Sequence, residues 1–151
     1  MAYLTLSEVL NRFDDFQTFL VRYARRHEKR RSDGLAAGLF SEFVQHGVEL
    51  GNSLEVLRSD HGFALGNTWV QFPGLDALNS AMQRLDAEDI DDVEVIAQGL
   101  LEAEASLRDS LDQVLGQLDA TPASEALVNL RDAVDQRVRT LSSDVSDFQK
   151  M

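Results

Sequence analysis

One histidine and three glutamates are the residues of this chain best suited to chemistry. His46 and Glu104 each lie between apolar residues at the spacing expected of a buried position on an amphipathic helix. Glu42 precedes His46 by four residues and Glu49 follows it by three, so both carboxylates share a helix face with the imidazole. Imidazole and carboxylate groups at one level of a helix bundle can bind a transition metal such as iron or manganese. A metal site formed by His46, Glu42, Glu104 and Glu49 is therefore one interpretation.

A direct hydrogen bond is the other interpretation, because a glutamate and a histidine satisfy each other without a metal. A di-metal bundle needs roughly four carboxylates and two histidines, delivered as Glu-x-x-His on two helices. This chain has only three histidines, and Glu42 precedes His46 by one residue too many for that motif. The last helix has no histidine and no glutamate after Glu125. We therefore expect no catalytic residue and no bound cofactor, with bound iron or manganese as the alternative.

Four long segments must position these groups, and each carries apolar residues at steps of three and four. Within a single domain of residues 1–151, we predict helices at about residues 6–31, 34–59, 91–118 and 122–148. A helix of this size is about 40 Å long, and the connection formed by residues 60–90 can run back along it. The predicted fold is an all-α four-helix bundle, ferritin-like in its up-down-down-up order, with a long crossover. In this order Gln17, His46, Glu104 and Asp135 lie at a similar depth.

Local signals add further expectations. Thr5 or Ser7 suits the start of the first helix, and Thr121 suits the start of the last. Within the crossover, we predict an extended segment at 68–72 and one short helix at 75–85. We also expect the aromatic side chains of the extended segment to hold the crossover against the bundle. These aromatic residues are Trp69 and Phe72. The two histidines near helix ends, His27 and His61, are expected to be exposed.

Two glycines one turn apart on the second helix, Gly47 and Gly51, make a shallow groove where a neighbour can approach closely. That neighbour is either another helix of the bundle or a second copy of the chain. The sequence leaves both alternatives open.

The composition excludes several classes of protein. The chain has 14 basic and 26 acidic residues and a formal net charge of −12, whereas nucleic-acid binding requires a positive surface. It has no cysteine, which excludes disulfides, thiolate catalysis and iron–sulfur clusters. It also lacks an apolar run of about 18 residues and a signal-peptide pattern. We therefore expect a cytoplasmic protein that binds neither nucleic acid nor membrane.

The segment from Leu39 to Phe72 resembles a group of uncharacterised bacterial ferritin-like proteins. They share a helix with a central histidine and a crossover rich in Thr, Trp and aromatic residues, here His46 and Thr68-Trp69-Val70-Gln71-Phe72. The layout of the whole chain is similar to the ferritin-like (rubrerythrin-like) superfamily. The resemblance implies oxygen or peroxide chemistry at a di-iron centre, with His46, Glu42 and Glu104 where ligands could lie. The ligands of the last helix have no counterpart here, so the di-metal site is expected to be degraded.

These observations predict a ferritin-like bundle that acts as a non-catalytic interaction or structural protein. Its partner would be a second copy, forming a homodimer, or another protein. The alternative function is a reduced metal-binding protein that uses iron or manganese in residual oxidoreductase chemistry.

Overall fold

A computed structural model describes residues 3–30, 34–87 and 92–150, which are mostly helical. The helices are α1 (Leu6–Arg30), α2 (Gly34–Gly66), α3 (Leu75–Ala87), α4 (Val93–Leu115) and α5 (Pro122–Gln149), and two short strands are β1 (Tyr3–Thr5) and β2 (Trp69–Gln71). The predicted all-α class is confirmed. Arg31 and Asp91, at two predicted helix bounds, lie outside the described residues. None of the helices in the described part of the chain has both the length and the apolar character that a membrane crossing requires.

Local hydrogen bonds fix where the first and last helices begin. The Thr5 hydroxyl oxygen accepts from the Glu8 N–H at 3.2 Å, and the Glu8 carboxylate accepts from the Thr5 N–H at 3.3 Å. At α5, the Thr121 side chain accepts from the Ser124 N–H at 3.1 Å. Such reciprocal caps satisfy N–H groups that a helix leaves unpaired, and losing one costs about 1 kcal/mol. The predictions of Thr5 and Thr121 as caps are confirmed.

α1 and α2 form an antiparallel pair. Arg58, late in α2, donates to Asn11, early in α1, at 3.1 Å. At the other end, the ring of Phe40 lies 5.8 Å from the ring of His27. Neighbouring helices joined by a short connection are expected to pack in this way.

α5 lies antiparallel to both α2 and α4. Side chains pair in opposite chain order along each seam: Glu42 with Asp144 and Glu49 with Arg137 on the α2 side, Arg108 with Asp135 and Asp112 with Arg131 on the α4 side. Along both α2 and α4, residue numbers increase in the direction in which those of α5 decrease, so α5 is antiparallel to each.

The glycines of α2 admit α1 of the same chain. A Cβ on Gly47 would collide with a methyl group of Val21, and a Cβ on Gly51 would lie 2.8 Å from Nε2 of Gln17. At Gly47 the methyl group would press on the short branched side chain of Val21 and crowd α1, whereas at Gly51 the flexible amide of Gln17 can move aside. Of the two alternatives left open by the sequence, core packing is the one that the structure supports for this groove.

Aromatic side chains anchor the core. Phe13, Phe16 and Phe40 are almost completely buried, and Phe13 lies 5.3 Å from the ring of Phe72 in the crossover. Burying one such side chain contributes about 1.5–3 kcal/mol. The prediction that Phe72 holds the crossover against the bundle is confirmed.

The second helix extends further than predicted. Instead of ending near residue 59, α2 continues to Gly66 across a kink at His61, where φ is −127° and ψ is 21°. Leu57 and Leu65 on either side of the kink are both buried, so the apolar spacing continues through it. Two helical segments therefore meet at His61, within two residues of the predicted bound near residue 59, and only the segment beyond the kink was not predicted. The predicted short helix of the crossover corresponds to α3, which packs against α4 and α1.

The crossover also forms a small sheet that the sequence did not predict. β2 pairs antiparallel with β1, so that Tyr3 faces Gln71. Val70 and Phe72 are buried on the inner face, whereas Trp69 is 60% exposed. Successive strand residues point to opposite faces. The expectation that Trp69 packs against the bundle was therefore wrong.

α4 ends at Leu115, earlier than the predicted bound near residue 118. Beyond it, the side-chain amide of Gln117 donates to the Gln71 carbonyl at 2.7 Å and accepts from the Gln71 N–H at 2.8 Å. These two bonds satisfy the outer edge of β2 at this residue and tie the crossover to the end of α4.

Candidate functional site

The two polar residues predicted to be buried at mid-bundle contact each other directly. Nε2 of His46 on α2 lies 3.1 Å from Oε2 of Glu104 on α4, and the two residues are 3% and 1% exposed. A hydrogen bond contributes about 1 kcal/mol net, but a buried polar group without its partner costs about 1–3 kcal/mol. The structure thus brings His46 and Glu104 together as a mutually satisfied pair between helices.

Glu49 contacts α5 instead. It forms an ion pair with Arg137, and the two side chains are 41% and 43% exposed. A pair this accessible to water contributes at most about 1 kcal/mol. Glu49 therefore joins the α2–α5 seam near His46 without pairing with Glu104.

Glu42 also contacts α5, through a second carboxyl group. A side-chain hydrogen bond in which protonated Glu42 donates to Asp144, together with burial and the negative charge of Asp144, raises the pKa of Glu42 to about 7. Two adjacent carboxyl groups favour the state in which they share one proton. Loss of the Glu42 proton near pH 7 replaces this hydrogen bond by repulsion between two carboxylates at the α2–α5 seam.

The three α2 side chains open onto one cleft between α2 and α5. This cleft has a volume of about 260 Å³ and is lined by Glu42, Gln45, His46, Glu49, Arg137, Thr140, Leu141 and Asp144. The raised pKa of Glu42 and the guanidinium of Arg137 both reduce the negative charge of this cleft. Glu104 does not line this cleft and bonds to the imidazole from α4.

The donor set does not fit the di-metal centre that the resemblance implies. Such a centre needs carboxylates and histidines from four helices close to one point. Here Glu42 pairs with Asp144, Glu49 with Arg137 and Glu104 with His46. Within residues 3–30, 34–87 and 92–150, no three His, Asp or Glu side chains converge in an arrangement that could hold a metal. The assignment of His46, Glu42, Glu104 and Glu49 as ligands stays a prediction.

The other two residues expected at this depth are engaged elsewhere. The Nε2 group of Gln17 donates to Asp14 at 3.2 Å, while its buried Oε1 has no hydrogen-bond partner among the described residues. Asp135 accepts from Arg108 and Arg139 at the α4–α5 seam. Among the described residues, no hydrogen bond or ion pair joins either side chain to His46.

Sequence reasoning missed Asp144 and Arg137, which complete the polar seam. They are seven residues apart and therefore on one face of α5. That spacing was the available signal, but the helix that they face depends on how α5 packs. The expectation for His27 was wrong: it is 4% exposed and its ring lies 4.6 Å from that of Tyr23, because the buried row of α1 continues to its last turn.

Comparison with known proteins adds no assignment to this geometry. No protein-family model, no curated protein and no solved structure matches the chain.

Proposed function

We propose that this chain is a ferritin-like four-helix bundle that acts without catalysis, by binding another protein. The pairwise packing supports the bundle order: α2 and α4 both lie antiparallel to α5, which gives them a common direction, and α1 opposes α2. Up, down, down, up is the order that these relations favour, with β2 and α3 forming the long crossover.

One observation carries the non-catalytic part of the proposal. The His46 imidazole, the most versatile ligand of the predicted site, directs its Nε2 atom at Glu104 from 3.1 Å in a buried position. The remaining candidate ligands on α2 pair with α5: Glu42 with Asp144 and Glu49 with Arg137. Polar groups that satisfy one another across helices specify how the helices pack.

Elemental analysis tests this proposal. We expect protein purified without chelator, and then incubated with Fe²⁺ or Mn²⁺, to retain much less than one metal ion per chain. His46→Ala should leave that small content unchanged. His61→Ala is the matched control, since it removes another α2 histidine outside the pair, and Glu104→Gln probes the same site with less risk to folding. One or more ions per chain, lost in His46→Ala and in Glu104→Gln but kept in His61→Ala, would refute the proposal.

The polar seam favours one alternative, a reduced metal-binding protein with residual oxidoreductase chemistry. Its specific support is the raised pKa of Glu42 beside Asp144, since a site that retains a proton at neutral pH has a negative potential that a cation can also satisfy. His46 and Glu49 line the same cleft. The metal measurement above separates the two functions.

A further inference from the structure

The centre of the outer face of α2 is a narrow row of uncharged residues, and the exposed carboxylates of Glu42 and Glu55 lie at its edges. Exposed residues recur there at steps of three and four, which is the spacing of one continuous helical stripe. Its members are Gly38, Ser41, Gln45, Val48, Asn52, Val56 and Ser59. We call this set the α2 stripe. In a chain in which 26% of residues are charged, this row concentrates uncharged side chains between those two carboxylates.

Large apolar side chains concentrate on the same helix. Val48 is 41% exposed and Val56 is 59% exposed, and Leu35, at the start of α2, is 58% exposed. The opposite face of α2 is already buried against α1 and α4. Apolar side chains that stay exposed on a helix packed on its other faces mark a surface where a partner can bind.

Opposite charges flank the α2 stripe near the start of α2. On one side, Arg22, Arg25 and Lys29 of α1 follow Asn11 at helical spacing, and Asn11 binds Arg58 of α2, so these cations border α2. They form no ion pair with other described residues. On the other side, acidic residues of α5 line the cleft beside the first turns of α2. These are Asp144 and Asp147.

The geometry points to a second copy of this chain as the partner, bound through the α2 stripe about a two-fold axis parallel to α2. Such an axis places α1 of each copy opposite α5 of the other at the same depth. The basic flank of one copy then meets the acidic flank of its partner twice. A two-fold axis across α2 would instead oppose α1 to α1, without this complementarity. The inference rests on the proposed protein-binding function and names its partner.

The available face is of the size that a standard dimer interface requires. The α2 stripe runs roughly 30 Å at 1.5 Å per residue. With α1 and α5 on either side, at about 8–10 Å between helix axes, the contact face is roughly 25 Å wide. The product, about 750 Å² per copy, is close to the ~800 Å² per partner of standard specific interfaces.

Sedimentation equilibrium of the full chain tests the inference. We expect a dimer at protein concentrations of about 100 μM, well above micromolar dissociation constants. Val48→Lys combined with Val56→Lys should weaken dimerisation at least about 10-fold, since exposed positions tolerate lysine but an apolar contact does not. Val95→Lys is the matched control, because Val95 is 43% exposed on α4, and it should leave the dimer unchanged.

Charge reversal tests the axis. Arg22→Glu with Arg25→Glu, and separately Asp144→Lys with Asp147→Lys, should each weaken the homodimer about 10-fold or more. An equimolar mixture of the two variants should form heterodimers, because both flanks become complementary again. Circular dichroism checks that each variant is folded.

Three outcomes would overturn the inference: a monomeric wild type, a dimer insensitive to Val48 and Val56, or a mixture that does not associate. None of these outcomes would touch the proposed function, which fails only on stoichiometric metal bound through His46. A monomer without metal would leave a different protein as the partner.

Discussion

Replacing the buried His46–Glu104 pair one residue at a time should reveal how strongly it couples α2 to α4. His46→Leu leaves Glu104, 1% exposed, without its partner, and Glu104→Leu does the same to the imidazole, 3% exposed. A buried polar group left without a partner lowers the free energy of unfolding by about 1–3 kcal/mol, or by about 3–5 kcal/mol where a buried charge is left uncompensated. Because leucine is similar in volume to both side chains, the cavity contribution is small. We expect each single variant to lose about 2–4 kcal/mol.

The double variant should behave differently. With both partners replaced by leucine, no polar group remains unsatisfied, and apolar replacement of a buried pair is often neutral or stabilising. We expect its free energy of unfolding to lie within about 1 kcal/mol of the wild type, or above it. The coupling energy of the double-mutant cycle should therefore be at least about 2 kcal/mol.

Urea unfolding followed by far-UV circular dichroism measures all four free energies. The single variants should also melt about 5–15 °C lower, given ~2–4 °C per kcal/mol for a chain of this length. Glu102→Leu is the control, an exposed glutamate two residues from the pair, and should change stability by less than about 0.5 kcal/mol. Single losses below about 1 kcal/mol, or additive losses in the double variant, would refute the reasoning because they would show that the pair is not buried and coupled.

Three other predictions follow from local contacts. Gly47→Ala should lower the free energy of unfolding by about 1–3 kcal/mol, because the added methyl group overpacks against α1. Gly38→Ala is the control: a Cβ there meets open space, so the free energy of unfolding should rise by up to about 1 kcal/mol. Urea unfolding measures both. The pKa of Glu42 rises from 4.5 to about 7 on folding, so its contribution to stability is complete below pH 4.5 and lost as the pH rises through 7; partial exposure limits it to about 1 kcal/mol. Glu42→Gln should remove this pH dependence, and a wild-type curve that is flat from pH 4.5 to 7 would contradict it. The single tryptophan, Trp69, 60% exposed, should be readily quenched by acrylamide in the native state, and full protection would show that another surface covers it.

Periodicity was enough to place the buried residues of the bundle, and it also identified His46 and Glu104 as interior positions. Their direct contact was one of two interpretations, because spacing along one helix says nothing about distances between helices. The partners of Glu42 and Glu49 could not be predicted for the same reason. Asp144 and Arg137 reach them only through the packing of α5 against α2.

Two other differences concern the exposure of His27 and of Trp69, for which the sequence does contain a signal. His27 continues the buried row of α1, yet its place near the helix end suggested exposure. Trp69 belongs to a strand of three residues, in which alternation assigns it to the face opposite Val70. β1 is equally short, and a strand of that length has no periodicity of its own to detect.

The composition of α2 connects the candidate site to the proposed dimer. One face of this helix carries Gly47 for α1, a second carries His46 for α4, and a third carries Glu42 for α5. Contacts within the chain account for these three faces. On the fourth face Val48 and Val56 are exposed, and the charge of Glu55 lies at its edge. A ligand bound in the interior would not explain the composition of that surface. A second copy would explain both its uncharged centre and its oppositely charged flanks.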